Sequence, residues 1–192
     1  MENSLTITME ATHSLNFLIY IQNIFLNKTR SKSDLKFPYM PAECQLREDF
    51  DVRFRDLWND ISERIADDPS QDQSILIEER NLFYQTLFTE NEDSLLEFDL
   101  IYKSFGAWWR SLAGGFAVEI CMGETLDKVY RGLADLLLEK GIKPRKNLYL
   151  NLIYDQCLLA DAEPSSYYAT LSIEDGFMRY KEIPGRLLHS ID

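Results

Sequence analysis

The chain has 192 residues, of which 45% are hydrophobic and 27% charged, and carries a formal net charge of −12 at pH 7. This is the composition of a soluble globular protein, and a chain of this length buries roughly 70% of the surface its unfolded form exposes, with no need of disulfide or metal staples. The negative charge argues against nucleic acid and anionic lipid as partners, because binding either needs clustered Lys and Arg.

Leu5 to Met9 alternates weakly and predicts a short strand. The N-terminal stretch has no basic segment before its apolar run and no small-residue cleavage site, so a signal peptide is not expected. The run LNFLIYIQNIFL is shorter than the roughly 20 apolar residues a membrane span needs. It predicts a buried helix, capped by the Thr12 hydroxyl and ending near Asn27. Residues 28–41 read as a loop. Pro41 then suits the first turn of a second helix, with Leu46, Phe50, Phe54, Leu57, Ile61 and Ile65 as its apolar stripe. Asp67-Asp68-Pro69 ends that helix, and Ser70 with Gln73 resembles a capping box for the next, SILIEERNLFYQTLF.

Asn91 to Ser94 is a polar break. Beyond it, Phe98, Ile101, Phe105, Trp108 and Leu112 step at helical spacing as far as Gly114-Gly115, which read as a helix stop. FAVEICM (116–122) reads as a strand broken by Gly123. A helix capped by Thr125 follows, with Leu126, Val129, Tyr130, Leu133, Leu136 and Leu137 on one face, and Gly141 and Pro144 end it. Leu148 to Tyr154 alternates as a half-buried strand. YYATLSI and FMRYKEI flank Glu174-Asp175-Gly176 and predict a hairpin.

The expected fold is therefore α+β. A helical N-terminal half of about four helices precedes a β-α-β-β-β segment that forms a small, mostly antiparallel sheet. The whole of 1–192 is expected to be one globular domain, with a subdivision into 1–113 and 114–192. The order strand, Gly123, helix, Gly141, Pro144, then a strand carrying Tyr149 and Tyr154 resembles one half of the GyrI-like effector-binding domains, over roughly a third of the chain. The N-terminal half does not resemble the second copy such a domain needs, and no site residue carries over.

Charge is unevenly placed. Residues 43–100 hold five basic and seventeen acidic side chains, so the whole excess lies in this middle segment. Such a field attracts basic partners. The small basic patches at 28–32 and 143–146 read as solvated loops.

Little chemistry is legible. His13 and His189 have no Cys, Asp or Glu at ligand spacing, and no HExxH, CxxC, EF-hand, GxSxG or phosphate-loop pattern occurs. Catalytic, cofactor-binding and metal-binding residues are therefore all assigned as none, and no cofactor is expected. Cys44, Cys121 and Cys157 are odd in number and widely spaced, which fits free thiols in a reducing cytoplasm.

Two functions remain. The first is an acidic cytoplasmic interaction module of the immunity, antitoxin or inhibitor kind, binding a basic protein through Asp49, Asp56, Asp60 and Glu63, with Trp109 and Arg110 as an anchor. Trp109 lies off the apolar stripe, so it is either such an anchor or is covered by the β-rich half. The alternative is a regulatory domain that binds a small molecule in an aromatic pocket of the C-terminal half, lined by Tyr149, Tyr154 and Tyr168 together with Trp109.

Overall fold

The computed structural model describes residues 5–40, 44–162 and 164–191. In chain order the elements are β1 (Ile7–Glu10), α1 (His13–Asn27), α2 (Phe50–Asp67), a 3-10 turn (Pro69–Gln71), α3 (Asp72–Ile77), α4 (Arg80–Leu87), α5 (Glu92–Trp109), α6 (Gly115–Lys140), β2 (Leu148–Ile153), β3 (Tyr168–Ser172), α7 (Ile173–Met178) and α8 (Ile183–Leu188). They divide into two compact units. One is helical and comprises His13–Ser111 with Cys157–Asp161; the other comprises Met1–Thr12, Leu112–Gln156 and Ala162–Asp192 and holds the sheet.

In the helical unit α1 is buried along nearly its whole length, as its predominantly apolar sequence dictates, and Asn16, Gln22 and Asn23 are buried with it. Phe17 sits at its centre, edge-on to Phe83, Phe98 and Tyr102. A helix apolar all round has to lie inside other elements, and α2, α3 and α5 pack around it. Phe50, Phe54, Leu57, Ile61 and Ile65 of α2 are all buried, each burial stabilising by roughly 1.5–3 kcal/mol. The expected start of this helix is corrected. Leu46 forms an antiparallel bridge with Phe88, and the Thr89 N–H donates to the Gln45 carbonyl at 3.0 Å, so α2 begins only at Phe50. Pro41 lies outside the described residues.

The helix stop at Gly114-Gly115 is also corrected. α5 ends at Trp109, and Gly114 is the N-cap of α6, so the glycines begin a helix. Leu112 is 81% exposed and off the stripe, which runs Phe98, Ile101, Phe105, Trp109. Trp109 thus belongs to the buried face.

In the other unit the mostly antiparallel sheet is overturned. The described strands form a three-stranded sheet of order β1-β2-β3 in which both pairings are parallel. Ile7 pairs with Leu148, and Tyr149 with Tyr168. Neither predicted strand beyond these three forms: FMRYKEI (177–183) spans the end of α7, a turn and the first residue of α8. FAVEICM opens α6, where Val118, Met122, Thr125, Val129, Leu133 and Leu137 form one buried stripe. Over seven residues, alternation and the i, i+4 spacing cannot be told apart. The first strand of the GyrI-like resemblance is therefore helix, while the strand carrying Tyr149 forms as β2. Gly141 does end α6, at φ 67°.

The Asp175-Gly176 step is not a hairpin turn. Ser172 and Asp175 form a reciprocal capping box that starts α7: the Ser172 hydroxyl oxygen accepts from the Asp175 N–H and the Asp175 carboxylate from the Ser172 N–H, both at 3.1 Å. Gly176 lies against α6, where a β-carbon would collide with Met122 Sδ. Without a hairpin, β2 reaches β3 through residues 154–167, long enough for a parallel crossover. β2 is buried on both faces rather than half-buried, as parallel strands usually are.

The sheet register sorts residues by face. Leu150 and Leu152 pair with Ala169 and Leu171 on one side, and Tyr149 and Asn151 with Tyr168 and Thr170 on the other.

Candidate functional site

The site begins with a problem at the start of α1. The first N–H groups of a helix have no partner within it, and here they are buried. Asp72, the first residue of α3 and 2% exposed, supplies the acceptor. Its Oδ2 accepts from the His13 backbone N–H at 2.7 Å and lies 3.1 Å from His13 Nδ1. Its Oδ1 accepts from the Ser14 N–H at 2.9 Å and from the Ser14 hydroxyl. Burial pushes the Asp72 carboxyl up, but the bonds from His13 and Ser14 outweigh it and hold the group below the usual aspartate value. A carboxylate at a helix N-terminus also gains from the helix dipole. The turn before α3 presents Asp72: the Asp68 carboxylate accepts from the Ser70 N–H at 3.0 Å and from its hydroxyl at 2.7 Å. The capping residue there is Asp68, not Ser70 as the sequence implied. The Thr12 hydroxyl donates to Asn151 Oδ1 at 2.7 Å.

Beside this pair lies a cleft of about 410 Å³. α1 contributes His13; α3 contributes Gln73, Leu76 and Ile77; α5 contributes Tyr102, Lys103, Phe105, Gly106, Trp109 and Arg110. These spacings place each set on one side of its helix. Trp109 stacks on Phe105 with ring centroids 5.5 Å apart and meets the His13 ring edge-on at 6.0 Å. Tyr102 is tied down by its hydroxyl, which donates to the Leu76 carbonyl at 3.3 Å, and by the Arg80 guanidinium 5.1 Å from its ring centre. Arg80 in turn pairs with Asp99. Gly106 leaves room for Arg110, since a β-carbon there would sit 3.4 Å from the guanidinium. Among the described residues Lys103 and Arg110 have no ion-pair partner.

The cleft thus offers an aromatic and aliphatic lining, two cations and one oriented imidazole. Arrangements of this kind hold small ligands that are apolar over most of their surface and anionic at one point. The lining contains no serine or cysteine, so it presents no side-chain nucleophile of the Ser–His or Cys–His kind.

Of the residues singled out from sequence, Trp109 and Arg110 come together here. Trp109 is 5% exposed, so it fills the core and has little surface left for a partner. Asp49, Asp56, Asp60 and Glu63 lie on the exposed side of α2 and its N-cap, apart in sequence from α5. Asp49 pairs with Arg53 at 2.7 Å and Asp60 with Arg64 at 3.7 Å. Tyr149 and Tyr168 stack across β2 and β3 with centroids 6.1 Å apart; both are buried, and the Tyr149 hydroxyl donates to Glu10 at 2.6 Å. Tyr154 follows the end of β2. His13, Asp72, Tyr102 and Lys103 are the site residues that sequence reasoning missed. Asp72 is 59 positions from His13, and no local pattern announces such a pair.

No group of three or more His, Cys, Asp or Glu among the described residues is arranged to hold a metal ion. The three cysteines are free, and burial pushes the Cys157 thiol up to about 11, so it carries little thiolate at neutral pH. Among the described residues no helix is long and apolar enough to cross a membrane. No protein-family model matches the chain, and neither a curated protein nor a solved structure matches it.

Proposed function

We propose that the helical unit binds a small organic acid with a flat apolar body, and that the cleft of α1, α3 and α5 is its site. The observation that carries this reading is the pairing of an aromatic lining with two cations that have no ion-pair partner among the described residues, in a protein of net charge −12. The volume falls within the usual range for small-molecule sites. Ile77 and Tyr102, the more exposed of the apolar lining, face the apolar body, and Lys103 and Arg110 take the carboxylate. The test is calorimetric titration with arylalkanoic acids and with their neutral amides. Acids that bind while the amides do not, with binding abolished in Lys103→Ala/Arg110→Ala, support the reading. A panel in which no acid gives heat or raises the melting temperature ends it.

The exposed carboxylates of α2 favour a second reading, an encounter surface for a basic protein in the cytoplasm. Asp51, Asp56 and Glu63 are exposed and form no ion pair among the described residues, and three free thiols suit a reducing compartment. Capture of a single basic protein at low salt, released at high salt and lost in Asp56→Lys/Glu63→Lys, is the expected result. Affinity that does not respond to salt refutes it.

A further inference from the structure

We infer that the acid bound in the cleft carries a hydrogen-bond donor on its apolar body, a phenolic hydroxyl or an indole N–H, and that His13 receives this donor at Nε2. The inference rests on the binding reading above and narrows the ligand class.

His13 Nδ1 is 3.1 Å from Asp72 Oδ2. An ionised carboxylate has no hydrogen to give, so Nδ1 carries the ring hydrogen and the neutral ring has its lone pair at Nε2. Asp72 cannot turn to relax this choice. Its two oxygens also hold the backbone N–H groups of His13 and Ser14 and the Ser14 hydroxyl, and Ser14 is fully buried. Trp109, edge-on to the imidazole at 6.0 Å, limits the swing of the ring. A histidine hydrogen-bonded through one nitrogen to a pinned carboxylate presents the other as a directed acceptor, just as a carboxylate behind the ring orients imidazoles in metal and catalytic sites.

The rest of the cleft makes that acceptor distinctive. Lys103 and Arg110 only donate. The Tyr102 hydroxyl gives its hydrogen to the Leu76 carbonyl, and the phenolic oxygen that remains is a weaker acceptor than an imidazole nitrogen. Gln73 is exposed and stays hydrated. His13, with its side chain 33% exposed, is the partly shielded acceptor beside the aromatic lining. A ligand that brings only an acid and a bare ring leaves Nε2 without a partner on binding, and a desolvated acceptor left unpaired costs affinity. A ligand with a donor on the ring satisfies it.

The experiment compares phenylpropanoate with its ortho, meta and para hydroxy derivatives and with indole-propanoate, by calorimetry on the full chain at about pH 8. The best donor-bearing acid is expected to bind about tenfold more tightly than phenylpropanoate, the difference one well-placed hydrogen bond makes. Asp72→Asn keeps the size of the residue but lets the ring take the opposite tautomer, and the preference should vanish. A second readout needs neither ligand nor this variant. In His189→Gln, which leaves His13 as the one histidine of the chain, a proton–nitrogen correlation spectrum should show Nδ1 protonated and Nε2 bare. Nε2 protonated in the neutral ring overturns the inference. So do acids that bind equally with and without the hydroxyl, an outcome that leaves the binding reading standing. If none of the acids binds, both fall.

Discussion

Replacing Asp72 with alanine removes the acceptor of four hydrogen bonds at once. Two of the lost donors are the first N–H groups of α1, and exchanging a capping acceptor for alanine costs about 1 kcal/mol. Ser14 is fully buried, so its N–H and hydroxyl are left unpaired away from water, at about 1–3 kcal/mol each when nothing replaces the partner. His13 is one-third exposed and can rehydrate. Water entering the space vacated by the carboxylate offsets part of the total, so the expected loss is about 2–4 kcal/mol. The assay is urea denaturation followed by tryptophan fluorescence. It reports on the helical unit alone, because Trp58, Trp108 and Trp109 all lie there. The pH dependence follows from the sign of the shift. Asp72 in the folded protein titrates below its ordinary value of 3.8, so its contribution is fully present above that value and fades as the pH falls through it toward the lower folded value. The gap between wild type and Asp72→Ala should therefore be constant from neutral pH to about pH 5 and narrow in stronger acid. A loss below about 0.5 kcal/mol at neutral pH, or a gap that does not narrow in acid, refutes this account of how α1 is anchored.

Three more outcomes follow from the same geometry. Gly176→Ala places a β-carbon against Met122 and should cost the sheet-bearing unit about 1–3 kcal/mol, the usual range for overpacking, read by amide hydrogen exchange of α7 and β3. Trp109→Ala should destabilise the helical unit by about 3–5 kcal/mol in the same urea assay, since the ring is buried and stacked on Phe105; a stability close to wild type would instead make it a surface anchor. Lys103→Ala/Arg110→Ala should unfold within about 0.5 kcal/mol of wild type while acid binding is lost, which separates a ligand role for the two cations from a structural one.

What the sequence by itself determined was the local layer of this protein. The predominantly apolar run of 15–24 makes α1 a buried helix, the stripe Phe50, Phe54, Leu57, Ile61, Ile65 makes α2 amphipathic, and Gly141 stops α6, because each depends on residues within a turn or two. Alternation likewise marks β2 and β3. Alternation does not say in which direction a neighbouring strand runs, so the all-parallel sheet was decided by the long path from Ile153 to Tyr168 and by the conversion of residues 173–178 into helix. The capping box of Ser172 and Asp175 starts that helix, and its Gly176 lies against Met122 of α6, a contact between residues far apart in the chain. The site shows the same division. Trp109 and Arg110 drew attention as residue types, but their shared cleft with Leu76 and His13 exists only when α1, α3 and α5 pack together. The pairing of His13 with Asp72 is the furthest from the sequence. A lone histidine and one aspartate among many come within hydrogen-bond distance, and the aspartate is held below its ordinary pKa, only because tertiary packing buries the start of α1 and leaves its N–H groups to be met by a side chain from α3.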